Sequence, residues 1–163
     1  MYNIKLFKGY EGKDFIGMSP EEVVKNMPNF EETYFLGEND EIRRDMSRDF
    51  IAYYDEDNKS CIAIQFVNNE IDVCLNDMQL MGIPEKNLIS ELKKLFPSEE
   101  IITDGENYVL VEKSLSIFVT EAAVGGFLVG QKDYFDFIKE ELVEPGPSRL
   151  QPISSSSQKN KLK

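Results

Sequence analysis

The 163-residue chain contains no histidine and no tryptophan. Without histidine it lacks the side chain that titrates near neutrality, the commonest zinc ligand, and every Ser-His or Cys-His mechanism. Cysteine is nearly as scarce, with Cys61 and Cys74 alone. Two thiols are too few for the disulfide framework of a small secreted scaffold. They sit in the apolar runs Cys-Ile-Ala-Ile and Asp-Val-Cys-Leu, without CxxC spacing. They therefore read as buried free thiols in strands rather than as metal or redox ligands. Basic residues are the third deficit: 18 Lys and Arg stand against 30 Asp and Glu, for a formal net charge of −12. That field repels phosphate backbones and anionic lipid, so direct nucleic-acid binding and polybasic membrane attachment are poor readings. No run approaches the roughly 18 apolar residues of a membrane span, and Met1 to Phe15 holds no signal-peptide core. A soluble, cytoplasmic protein is expected.

What remains has the composition of a folded domain, 41% apolar and 29% charged, and a length that suits one core. The end differs. Residues 144–163 hold three of the seven prolines, the run Ser154–Ser157 and a basic terminus. Such a stretch buries too little apolar surface to offset chain entropy and is expected to be disordered. Its Gly146-Pro-Ser-Arg-Leu-Gln151 also matches cloning sites read through, so a natural and an appended origin both stand. Among the charged residues beyond 143 are one acid, Glu144, and four bases, Arg149, Lys159, Lys161 and Lys163. Residues 1–143 thus keep 29 acids and 14 bases, a net charge near −15. The acidity belongs to the folded part.

An internal repeat organises that part. Phe15–Met27 aligns without gaps on Leu80–Leu92, an offset of 65, with Gly17 on Gly82. Met18, Val23, Val24 and Met27 fall on Ile83, Leu88, Ile89 and Leu92. The same offset carries Phe50, Ala52 and Tyr54 onto Leu115, Ile117 and Val119, and Ile62–Ile64 onto Phe127–Val129. Each copy opens on a helix start. Ser19 is a good N-cap, Pro20 suits the first helical position, and Glu22 completes a capping box. In the second copy Pro84 precedes Leu88, Ile89, Leu92 and Leu95, the spacing of one buried helical face. Pro28 and Pro97 end the two helices. The period then changes to two: Phe50, Ala52 and Tyr54 alternate, Asp55–Lys59 turns, and Cys61–Val67 returns, with Ile71–Leu75 as a third strand. In the second half Tyr108–Val111, Leu115–Thr120, Phe127–Val129 and Tyr134–Ile138 read as strands too. The expected fold is α+β: a tandem helix-plus-antiparallel-meander repeat, with helices packed on one face of a mostly antiparallel sheet. Residues 1–77 and 78–143 are the two repeats of one shared domain.

The segment Gly17-Met-Ser-Pro-Glu-Glu-Val23 resembles the repeat of β-lactamase-inhibitory protein and of the outer-membrane-assembly lipoprotein. In both, a helical segment precedes a short antiparallel sheet. A closer resemblance is to small bacterial proteins associated with toxin–immunity loci. It rests on the hairpin Tyr53-Tyr-Asp-Glu-Asp-Asn-Lys-Ser-Cys-Ile-Ala-Ile-Gln-Phe66, on Met78-Gln-Leu-Met-Gly-Ile-Pro-Glu-Lys-Asn-Leu88, and on Gln131-Lys-Asp-Tyr-Phe-Asp136. The likeness spans most of residues 1–138. It departs at Pro84, where that group prefers Ser, and in a hairpin turn without Gly. These motifs are structural, and no catalytic residue carries over.

Chemistry is hard to find. Against the calcium-loop template, Asp55-Glu-Asp-Asn-Lys-Ser places Lys59 at an oxygen-ligand position, and Phe66 falls where the bidentate Glu belongs. It reads as a solvated turn. Gly125, Gly126 and Gly130 lack the Lys-Ser/Thr of a phosphate loop and read as a turn between strands. Asp104-Gly-Glu-Asn is also a turn. No metal and no cofactor is called for. The remaining candidates are partner-binding: Tyr34 and Phe35 beside the acid run Glu38, Asp40 and Glu41, together with Asp55, Glu56 and Asp57. Aromatics enrich interface centres, and acids attract a basic partner. The expectation is a non-enzymatic immunity protein that binds and neutralises a cognate bacterial toxin, a nuclease being one candidate, through an acidic surface. A regulatory or phage-encoded interaction module without a toxin shares every one of these features. A hydrolase with a carboxylate site is the third reading. A toxin gene beside this one would separate the first two.

Overall fold

The computed structural model describes residues 1–138 and 151–153. The chain runs through β1 (Tyr2–Lys5), β2 (Gly9–Tyr10), α1 (Pro20–Asn26), β3 (Phe30–Leu36), β4 (Ile42–Ser47), β5 (Phe50–Tyr54) and β6 (Cys61–Phe66). It continues through β7 (Val73–Leu75), β8 (Met78–Gln79), α2 (Glu85–Leu95), β9 (Ile101–Thr103), β10 (Asn107–Leu110), β11 (Leu115–Thr120), β12 (Ala123–Gly130) and β13 (Gln151–Ile153). Two sheets result. The large one has the order β13-β9-β10-β11-β12-β6-β5-β4-β3, and the small one β2-β1-β7-β8.

The α+β expectation, with helices packed as a layer on the sheet, is overturned: the protein is mostly β. Its α-helices are short, 7 residues in α1 and 11 in α2. The small sheet supplies much of the cover. Tyr2 and Tyr10 from it pack their rings on Phe50 and Phe66 of the large sheet, at centroid distances of 5.2–6.3 Å. The helices fill in beside it through Val23, Leu88 and Leu92, all fully buried. The core between the sheets also holds Phe15, Ile64, Leu75, Leu80, Leu115, Ile117 and Phe127. Each such side chain contributes about 1.5–3 kcal/mol by leaving water.

The local signals that did form elements are the ones with their own chemistry. Ser19 caps α1, its hydroxyl accepting from the Glu22 amide at 3.2 Å while the Glu22 carboxylate accepts from the Ser19 amide at 3.3 Å. The corrections fall where pattern is weak. Ile71–Leu75 is not a third strand of the meander: only Val73–Leu75 is extended, and it pairs in parallel with β1. Tyr134–Ile138 is no strand either, because residues 132–135 form turns and 136–138 are helical. Residues 30–47, without a sequence pattern, form the β3–β4 hairpin. Of the stretch 144–163, expected to be disordered, Gln151–Ile153 pairs antiparallel with β9, and the rest lies outside the described residues. The boundary at 77/78 falls inside the β7–β8 hairpin.

The 65-residue offset is visible in the backbone. The Gly17 amide donates to the Cys61 carbonyl and the Cys61 amide to the Met18 carbonyl, both at 2.8 Å. Gly82 and Ile83, 65 positions on, repeat that exchange at 2.9 and 2.8 Å with Val124, which stands two positions short of the equivalent of Cys61. Between β6 and β12, Ile64 pairs with Val129, 65 positions away. The flanking pairs Gln65–Leu128 and Ala63–Gly130 exchange under the same offset. A local two-fold axis therefore passes through the middle of the large sheet.

Candidate functional site

The candidate surface is the end of the large sheet where two hairpins turn. The first turn, 37–41, joins β3 to β4. Gly37 is required there: its φ is +94°, and a Cβ would lie 2.4 Å from the Glu41 carboxyl. That carboxylate accepts from the Asn39 amide at 3.0 Å and so braces its own loop. The second turn, 55–60, joins β5 to β6. Asp55 Oδ1 accepts from the Lys59 and Ser60 amides at 2.8 and 3.3 Å, a side chain standing in for backbone.

Asn58 clamps the two turns together. Its Nδ2 donates to the Glu41 carbonyl at 2.8 Å, and its Oδ1 accepts from the Arg43 amide at 3.2 Å. The runs 38–41 and 55–57, separate in sequence, thus stand side by side. Glu41 and Asp55 spend their carboxylates on the turns. Glu38, Asp40, Glu56 and Asp57 are exposed, and their carboxylates make no hydrogen bond or ion pair among the described residues.

The aromatic pair is divided. Tyr34 and Phe35 are consecutive in an extended strand, so they point to opposite faces of the sheet. Half-buried Tyr34 stands opposite Arg44, whose guanidinium lies 4.2 Å over the Tyr53 ring. Phe35, 49% exposed, stands opposite Arg43 on the other face. Leu36 and Ile42 pair with each other on the Tyr34 face and are 45% and 38% exposed.

Sequence reasoning missed three residues that hold this end in shape: Asn58, Arg43 and Asp45. Asp45 is fully buried. It accepts from Arg43 Nε at 3.0 Å, from the Tyr54 hydroxyl at 2.5 Å and from the Thr33 hydroxyl. A buried carboxylate is tolerated only with such partners. In the run Ile42-Arg-Arg-Asp-Met46 nothing marks it off from a solvated charge. Asn58 carried one weak signal, an Asn in a turn, where its left-handed φ of +54° is well tolerated.

Elsewhere, a shallow hollow of about 250 Å³ opens on the sheet face away from the core, between Gln65, Val109, Ser116, Phe118, Leu128 and Phe135. Asp104 borders it, yet its carboxylate is engaged by the Glu106 and Asn107 amides at 2.9 and 2.7 Å. Burial pushes that carboxyl up, but those hydrogen bonds outweigh it and hold the pKa below its ordinary value. Among the described residues no group of three Cys, Asp or Glu is placed to hold a metal ion, and no helix is long and apolar enough to cross a membrane. Compared with protein-family models, curated proteins and solved structures, the chain matches none.

Proposed function

We propose that this is a non-enzymatic binding protein whose acidic hairpin end grips a basic protein partner, in the manner of an immunity protein neutralising a toxin. The observation that carries the reading is the clamp at Asn58, which gathers Glu38, Asp40, Glu56 and Asp57 into one rigid acidic edge. Acids carried on braced turns raise encounter rates by their charge, and no turn must be ordered on binding. A nuclease toxin fits this description, since its own cleft must be basic to hold nucleic acid. A cytoplasmic location belongs to the same reading, being where such a toxin would act.

The test is to purify the product of a toxin gene adjacent to this one and ask for complex formation and for loss of its activity. Stoichiometric inhibition is expected. Absence of binding to any neighbouring gene product overturns the immunity reading.

A further inference from the structure

Among the described residues, one edge of the large sheet is open. β3 is the last strand of the large sheet, seven residues long, and exposed at every position but Tyr34. Natural edges are blunted by Lys, by Pro, by brevity or by bulges. β3 has no Lys and no Pro, and its one irregularity lies at the start, between Phe30 and Glu32. Beyond the bulge, Thr33-Tyr-Phe-Leu36 is an uncharged run of β-favouring residues, with its outer row of backbone groups unpaired among the described residues. Phe35 and Leu36, on opposite faces, remain half-exposed beside it.

We infer that β3 receives an extended, basic segment of a partner protein as an added strand, with Lys or Arg alternating with apolar residues. Charge selects that occupant. Glu31 and Glu32 lie in the strand, and Glu38, Asp40 and Glu41 follow it at the turn. A second copy of this chain would bring net −12 against net −12, and its own Glu31 and Glu32 to the same edge. A basic strand gains main-chain hydrogen bonds from the edge and specificity from the alternating side chains, the ordinary division of labour in strand addition. This deepens the binding reading above and rests on it for the partner's charge.

The test uses peptides and the full chain, with no toxin present. A labelled octapeptide alternating Lys and Val is titrated beside two controls: a Lys-block/Val-block peptide of the same composition, and the alternating peptide N-methylated along its backbone. The alternating peptide should bind roughly tenfold more tightly than either control. It should also slow hydrogen exchange at the amides of residues 33–36, and Glu31→Lys with Glu32→Lys should weaken it roughly tenfold. Equal binding of all three peptides would show mere charge attraction and overturn the proposal. So would no binding at about 1 mM, or binding that leaves the β3 amides unprotected. Failure here leaves toxin binding by the acidic turns standing, whereas failure of the toxin assay leaves the edge to be judged by the peptides.

Discussion

Asp49, 3% exposed, collects three donors: the Tyr2 hydroxyl at 2.8 Å, Asn68 Nδ2 at 3.0 Å and Arg48 Nε at 3.3 Å. Burial pushes its pKa up, but the hydrogen bonds and the Arg48 charge outweigh burial and hold it below the ordinary 3.8. A carboxylate more acidic in the folded state than in the unfolded one stabilises above about pH 3.8 and loses that contribution as pH falls through its folded value. Asp49→Asn should therefore lower the stability at pH 7 by about 1–3 kcal/mol, and flatten the fall of the thermal midpoint between pH 4 and 2. Melts across that range check it; an unchanged acid limb would show that Asp49 is not linked to folding. The thiols make a second case. Burial pushes Cys61 up to about 12, and burial with Asp72 and Asp77 raises Cys74. Since the thiolate is the nucleophile, neither should react with iodoacetamide at pH 8 until the chain unfolds, as mass spectrometry would reveal. That both are buried free thiols was legible, because each sits in an apolar run. Asp45 was not, since a charged residue announces its burial only through partners distant in sequence.

The elements show where sequence pattern has physical force. The capping box at Ser19 and Glu22 is local, so three residues suffice to specify it. α2 was legible because Leu88 and Leu92 share one buried face, and Val23 plays the same part in α1. Val23→Asp and Leu88→Asp should each place an unpaired charge in the core and cost about 3 kcal/mol or more. Urea unfolding of the two variants tests the facing of each helix separately, and wild-type stability in either would show that helix to face outward. The β3–β4 hairpin was illegible for the opposite reason. A strand exposed on both sides has no face to alternate, so Phe30–Leu36 offers no period of two. Tyr134–Ile138 misled because aromatics close together satisfy a strand pattern and a turn equally; here Phe135 and Ile138 fold down onto Ile102, Val109 and Val111 instead. The strands of two or three residues in the small sheet are too short to repeat a period of two, and only tertiary pairing reveals them. That is why a β protein looked like a layer of helices on a sheet.

At the scale of the whole molecule, the repeat and the charge were both read from the chain, but they bear on different questions. The repeat sets the architecture: residues 65 apart meet at Ile64 and Val129 in the middle of the sheet, which puts both acidic turns on the same side of that middle and β3 at the end of the strand order. The charge sets what approaches that side. Sequence alone could nominate Glu38–Glu41 and Asp55–Asp57 but could not join them, because the join is the Asn58 amide reaching a carbonyl 17 residues away. It also could not tell the carboxylates that build the turns from those that face solvent. The substitutions that separate the two roles are Glu38→Gln, Asp40→Asn, Glu56→Gln and Asp57→Asn. Made together, they should leave the thermal midpoint within about 2 °C, since exposed charges contribute little to stability. They should slow association with a basic toxin domain about tenfold or more at low salt, with the dissociation rate changed far less. In the unaltered protein the association rate should fall steeply as salt shortens the screening length from about 30 Å at 0.01 M to about 10 Å at 0.1 M. The fourfold variant should show a shallower slope. Glu41→Gln and Asp55→Asn provide the contrast, lowering the midpoint because each loosens a turn. An association rate flat with salt and untouched by the four substitutions would place the partner on another face.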